Sequence, residues 1–145
     1  MFAHRVVPFV TLIGLLVIVG CDSGPTLVEV QGTVKANGKP LNKIQVEFWP
    51  VASGPRSMGT TDEQGHYSLL VDDGVRKGAI VGSHNVVLKD VGVLGDKFMG
   101  RKGEDVDMTK GKKSQIPLIY TDPLKTTIKK EVKSGPNVID IDVTP

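Results

Sequence analysis

An all-β domain, folded as a seven-stranded Greek-key β-sandwich behind a removable N-terminal segment, is the architecture that the sequence predicts. Three observations carry that expectation. Apolar and polar residues alternate with period two in several runs, the signature of half-buried strands. The 17 glycines and 9 prolines among 145 residues punctuate those runs at short intervals, as the turns of a sandwich require. No convincing helical period of about 3.6 residues follows Cys21. The length suits one domain. With 18 Lys and Arg against 16 Asp and Glu spread along the chain, no concentrated basic face is available, so nucleic acid is not an expected partner.

The first element is an address. Arg5 precedes an apolar stretch from Val6 to Gly20, broken only by Pro8, Thr11 and Gly14. A basic start before a short apolar run is the pattern of a secretory signal, and the run stops short of the about 20 apolar residues that a spanning helix needs. It closes on Ile18-Val19-Gly20-Cys21, which resembles a bacterial lipobox. That resemblance implies recognition of Ile18, Val19 and Gly20 by the lipoprotein signal peptidase, removal of residues 1–20, and a diacylglyceryl thioether on Cys21. The expected location is therefore exported and membrane-anchored, on the extracytoplasmic side of a bacterial membrane, with the membrane itself as first partner. Acylation suits such a task, since each buried methylene contributes about 0.8 kcal/mol and two or more chains hold where one does not. Cys21 is the sole cysteine, so it has no internal disulfide partner. Residues 21–26 then form the lipidated cysteine and a short polar tether, and 27–145 the sandwich.

Within the domain, Val28, Val30, Val34 and Ala36 alternate with Glu29, Gln31, Thr33 and Lys35. Asn37-Gly38 is turn chemistry, and Ile44, Val46 and Phe48 then alternate with Gln45, Glu47 and Trp49, so the two runs are expected to pair as a hairpin. A second tight hairpin is expected around Asp62-Glu63-Gln64-Gly65, ahead of Tyr67, Leu69 and Val71. A fifth strand follows over 79–89, a sixth over 126–133 and a seventh over 137–144, where Ile139, Ile141 and Val143 face away from Asp140 and Asp142. Residues 92–114 form a long loop with six Lys or Arg and four Asp or Glu, a length usually reserved for function or mobility.

An ordered series of segments then resembles a family. Val30-Gln31-Gly32-Thr33-Val34, Asn37-Gly38-Lys39-Pro40-Leu41, Val46-Glu47-Phe48-Trp49-Pro50, Thr61-Asp62-Glu63-Gln64-Gly65-His66-Tyr67, Gly78-Ala79, Gly82-Ser83 and Gly135-Pro136-Asn137 are similar to the carboxypeptidase regulatory-like, or transthyretin-like, domains of small planctomycete-type lipoproteins. The resemblance implies a prealbumin-like sandwich serving as an accessory or adhesion-type module, generally without catalytic residues. His84 departs from it, standing where the family pattern has an aromatic residue, in phase with Val86 and Leu88.

His66 and His84 lie on different strands without the third ligand that a catalytic zinc needs, and Asp62, Glu63, Asp72 and Asp73 lack the spacing of an EF-hand, so no metal and no cofactor are expected. A nucleophile elbow is missing from the sequence and the one cysteine is spoken for, which makes a small hydrolase the least favoured reading and a non-enzymatic role the expected one. Trp49, out of phase with the buried residues and beside Pro50, and Phe98 and Tyr120, near the 92–114 loop, remain as possible contacts for a carbohydrate or protein ligand. Lys35 and Asn137 sit where an isopeptide bond joins related surface domains, but Lys35 is on the polar phase of its strand and Asn137 on a turn. The basic loop residues Lys97, Arg101, Lys102, Lys110, Lys112 and Lys113 are candidates for anionic headgroups or acidic polymers close to the anchor. The expected function is a lipid-anchored, non-catalytic module of the bacterial envelope, structural or partner-binding, with an envelope protein or polysaccharide as the partner beyond the membrane.

Overall fold

A computed structural model describes residues 25–94 and 113–144. Ile18, Val19, Gly20, Cys21, Phe98 and most of the basic loop residues lie outside that range. In chain order the elements are β1 (Leu27–Val28), β2 (Val30–Ala36), β3 (Lys39–Pro40), β4 (Ile44–Pro50), β5 (Ser57–Thr60), β6 (His66–Ser68), β7 (Leu70–Val71), β8 (Ala79–Ile80), β9 (Gly82–Asp90), a helical turn α1 (Val91–Leu94), a 3-10 turn (Leu118–Thr121), β10 (Lys129–Val132), β11 (Asn137–Val138) and β12 (Ile141–Val143). The described chain is all-β apart from those two turns.

One sheet has the order β10-β9-β4-β5-β7 and is antiparallel throughout. The other is built around β2, which takes β11 and β12 in parallel and β3 and β6 in antiparallel register. A small pair, β1 with β8, joins the starts of the two halves. Both sheets feed one core. Val30 and Val34 of β2 and Ile141 and Val143 of β12 meet Val46 and Phe48 of β4 and Val86 and Leu88 of β9 in a single cluster. Phe48 is fully buried, its ring 6.4 Å from that of Tyr67 and 5.6 Å from that of His84. Burying each such side chain contributes about 1.5–3 kcal/mol.

The expected hairpin between the first two runs does not form. Asn37 and Gly38 do turn the chain at positive φ, 51° and 76°, but the returning strand is only the two residues of β3. The chain then crosses to the other sheet, where β4 lies between β5 and β9. The second turn forms as expected: the Asp62 carboxylate accepts the backbone N–H groups of Gln64 and His66, and Gly65 has φ 76°. Its outgoing strand divides, however, β6 pairing with β2 and β7 with β5. In each case a local turn signal was right while the partner was set by apolar residues far away in sequence. The last strand runs as its alternation predicts, with Ile139, Ile141 and Val143 buried and Asp140 and Asp142 exposed.

Strand directions define two poles. The chain enters at Leu27, and the pairing of β1 with β8 puts the 51–56, 72–78 and 133–136 connections at that same end. At the opposite end lie the 37–43 and 61–65 turns, α1, and the segment from Lys113 to Thr126. Hence the stems of the 92–114 loop stand at the far pole from the N-terminal tether, not beside it.

Candidate functional site

Trp49 is the penultimate residue of β4, on the outer face of the antiparallel sheet. Its register partner is Asn85 of β9, and Glu47, two residues earlier, lies opposite Met58 of β5 and Val87 of β9. Period-two phasing places Glu47 outward, yet its side chain is only 3% exposed. The cause is a cover of long side chains. Lys89 Nζ reaches Glu47 Oε1 at 2.7 Å, Arg56 Nη1 stands 3.5 Å from Oε2, and the Trp49 indole N–H donates to Oε2 at 2.8 Å. The Arg56 guanidinium in turn sits 5.0 Å from the Trp49 ring centre, a cation–π contact. Trp49 is thus half-buried in an ion-pair cluster, with its N–H committed and one ring face lying under Arg56.

Tyr120 belongs to a different place. It lies in the 3-10 turn at the far pole, packed against the edge of the core, and its hydroxyl is 3.5 Å from the Thr144 carbonyl. Trp49 and Tyr120 therefore do not share a surface, and Phe98 falls outside the described residues. What the far pole does bring together is the neck of the long loop. Asp90, 6% exposed, accepts the Gly92 N–H at 3.1 Å through Oδ1 and the Gln115 N–H at 2.9 Å through Oδ2. One carboxylate thereby holds both stems, while Lys43 O accepts the Val91 N–H at 3.0 Å. A shallow cleft of about 510 Å³ opens between Asn42, Lys43, Val93, Lys113 and Gln115. In the segment that follows Gln115, Leu118, Ile119 and Leu124 are exposed apolar residues.

The histidines take structural places. His84 is buried beneath Phe48 with Nδ1 2.9 Å from Gly82 O, and burial pushes its pKa below the ordinary value. His66 is exposed, 3.8 Å from Asp62. Among the described residues no group of three or more His, Cys, Asp or Glu could hold a metal ion. Asn137 is spent on a turn, its side-chain N–H groups donating to Lys133 O and Gly135 O and its oxygen accepting the Lys133 N–H, while Lys35 is exposed. On the sheet built around β2, the Tyr67 hydroxyl donates to Ile139 O at 2.6 Å. Desolvation, aided by the Asp140 charge, raises the pKa of that phenol. Asp140 accepts both the Thr33 N–H and hydroxyl at 2.8 Å, which lowers its own pKa.

The Glu47 cluster and the Asp90 clamp were not foreseen from the sequence. Val87 held the one available hint to the first: an apolar residue on the polar phase of β9 implies cover on the outer face. Asp90 offered none, since its partners are the Gly92 N–H and the Gln115 N–H and side-chain amide, 2 and 25 residues away. Comparison with known protein families, with characterised proteins and with solved structures returns no match. Among the described residues no helix is long and apolar enough to cross a membrane.

Proposed function

We propose that the protein is a lipid-anchored, extracytoplasmic module of the bacterial envelope, non-catalytic, with a structural or partner-binding role. The observation that carries this reading is Ile18-Val19-Gly20-Cys21 at the end of an apolar run, with β1 beginning at Leu27. Thr26 already accepts the Val81 N–H at 3.0 Å, so the folded unit starts directly after a short tether. The finer fold reading is a seven-stranded Greek-key, prealbumin-like sandwich akin to carboxypeptidase regulatory-like domains. Two features support it. The antiparallel run β4-β5-β7 is followed by β9, which returns beside β4, the order of a Greek key. Joining β1 to β2, β6 to β7, β8 to β9 and β11 to β12 across their short breaks, and counting β3 with its turn, leaves seven strands.

A non-catalytic role accords with the employment of the polar side chains: Glu47, Asp62, Asp90 and Asp140 each hold neighbouring groups in place. The test is intact mass and detergent partitioning of the full chain beside Cys21→Ser. Loss of residues 1–20, gain of acyl mass and detergent partitioning, all absent in the variant, are the expected results. Release of both chains into the aqueous phase would reject the anchor.

A partner-binding role gains support at the far pole, where Asp90 gathers the loop stems and the segment after Gln115 exposes Leu118, Ile119 and Leu124. Retention on an envelope wall preparation should then fall in Leu118→Ser/Leu124→Ser and stay unchanged in Trp49→Ala. The reverse pattern would return the contact to Trp49.

A further inference from the structure

The pole at which the chain enters the domain has a composition of its own. Val51 and Val75 project from its loops, 65% and 79% exposed. The 72–78 loop is a built presentation of Val75. Asp73 Oδ1 accepts the N–H groups of both Val75 and Arg76, and its Oδ2 pairs with the Arg76 side chain at 2.6 Å. Lys77 and Lys133 are exposed at the same end and belong to no ion pair among the described residues. The carboxylates there are Asp72 and the paired Asp73, with Glu29 and Glu131 next along the strands.

Distances add to this. The five residues Asp22–Thr26 span at most about 18 Å when fully extended. From Gly82 to Asp90, β9 covers about 26 Å at roughly 3.3 Å per residue. A lipid on Cys21 therefore keeps the entry pole near the bilayer and places no such limit on the far pole. Resting on the anchor proposed above, we propose that the entry pole lies against an anionic phospholipid surface, Val51 and Val75 at headgroup level and Lys77 and Lys133 against phosphate groups. The far pole, with Leu118, Ile119 and Leu124, then points away from the membrane.

The test uses the full chain, acylated in a bacterial host and reconstituted in vesicles of phosphatidylethanolamine and phosphatidylglycerol. Cys21 is the sole cysteine and its sulfur carries the lipid, so Val51→Cys, Val75→Cys or Leu124→Cys each supplies a single site for a fluorophore. With a quencher on the lipid headgroup region, quenching at the first two positions should exceed that at the third by about threefold or more. It should fall by about half when phosphatidylglycerol is omitted or Lys77→Glu/Lys133→Glu is added. Equal quenching at all three positions would mean that the domain lies on its side, and none at any that it stands clear; either overturns the orientation. Intact mass and flotation of the same samples separate the two claims. A chain that lacks acyl mass and does not float overturns the anchor together with the orientation, whereas an acylated, floating chain without differential quenching overturns the orientation alone.

Discussion

Replacing Tyr67 with phenylalanine removes one oxygen atom and tests how the last strand is fastened. The lost bond, 2.6 Å to Ile139 O, joins residues 72 apart in sequence. Both residues are at least nine-tenths buried, so the carbonyl is left unpaired in an apolar setting. A bond of this kind is worth about 1 kcal/mol, and an orphaned carbonyl raises the cost to about 1.5 kcal/mol. At roughly 2.1 cal/mol/K per residue over about 120 residues, the unfolding entropy is about 0.25 kcal/mol/K, so Tm should fall by about 6 °C. The same phenol makes the difference depend on pH. Its folded pKa is raised above the ordinary 10.0, so the unfolded chain loses the proton first and stability drains as pH rises from 10 toward the folded value. At pH 11 the wild type has lost about 1.4 kcal/mol through this group alone, and Tyr67→Phe has lost none of it. Thermal melts of the full chain in mild detergent, followed by the fluorescence of Trp49, the sole tryptophan, should show a gap near 6 °C at pH 7 that almost closes at pH 11. A gap absent at pH 7, or equal at both pH values, would refute the reasoning; other alkaline titrations are common to both chains and cancel.

Gly32→Ala should cost more than about 3 kcal/mol in urea denaturation, because a Cβ there would lie 1.9 Å from Ile139 O; a midpoint near wild type would mean that the last strand is free to shift. Glu47→Gln keeps an acceptor for the Trp49 N–H but strands Lys89 and Arg56, each about a third exposed. The expected loss is about 1–2 kcal/mol, reduced from the fully buried case by solvent screening, with little change in Trp49 emission, whereas Glu47→Ala should also shift that emission to the red. Asp90→Ala frees the Gly92 and Gln115 N–H groups. Trypsin should then cut between Val91 and Ser114 several-fold faster, read by mass spectrometry, and an unchanged rate would remove Asp90 from its role as the clamp.

Alternation was legible wherever a strand has one buried face. Val30 and Val34, or Ile139, Ile141 and Val143, announce their side of the sheet because a period of two has no other economical use. Phe48 and Tyr67 were placed in the core on the same ground, and His84 is buried as its phase with Val86 and Leu88 allows. Pairing was not legible. Asn37-Gly38 is a strong turn signal, yet β2 draws its main partners from Tyr67 and from the last residues of the chain. Glu47 shows the same limit at the level of a site. A glutamate on the polar phase reads as solvated, and only Trp49 from its own strand, Lys89 from β9 and Arg56 from the 51–56 connection cover it. The resemblance of Ile18-Val19-Gly20-Cys21 to a lipobox was readable for the opposite reason, since its four residues are contiguous.

The parallel docking of β11 and β12 on β2 sets the timetable of folding. One flank of the first long strand is completed by residues 137–143, far later in the sequence, so its hydrogen-bonding edge stays open until that segment has been made. Until then the chain lacks Ile139, Ile141 and Val143 from its core, and pairings across such sequence distances form slowly. A chain threaded through a pore from its N-terminus would thus reach the far side largely unfolded and close only when residues 137–143 arrive. Truncation by as few as ten residues would leave it permanently ajar, with β2 exposed as a template for a neighbouring chain.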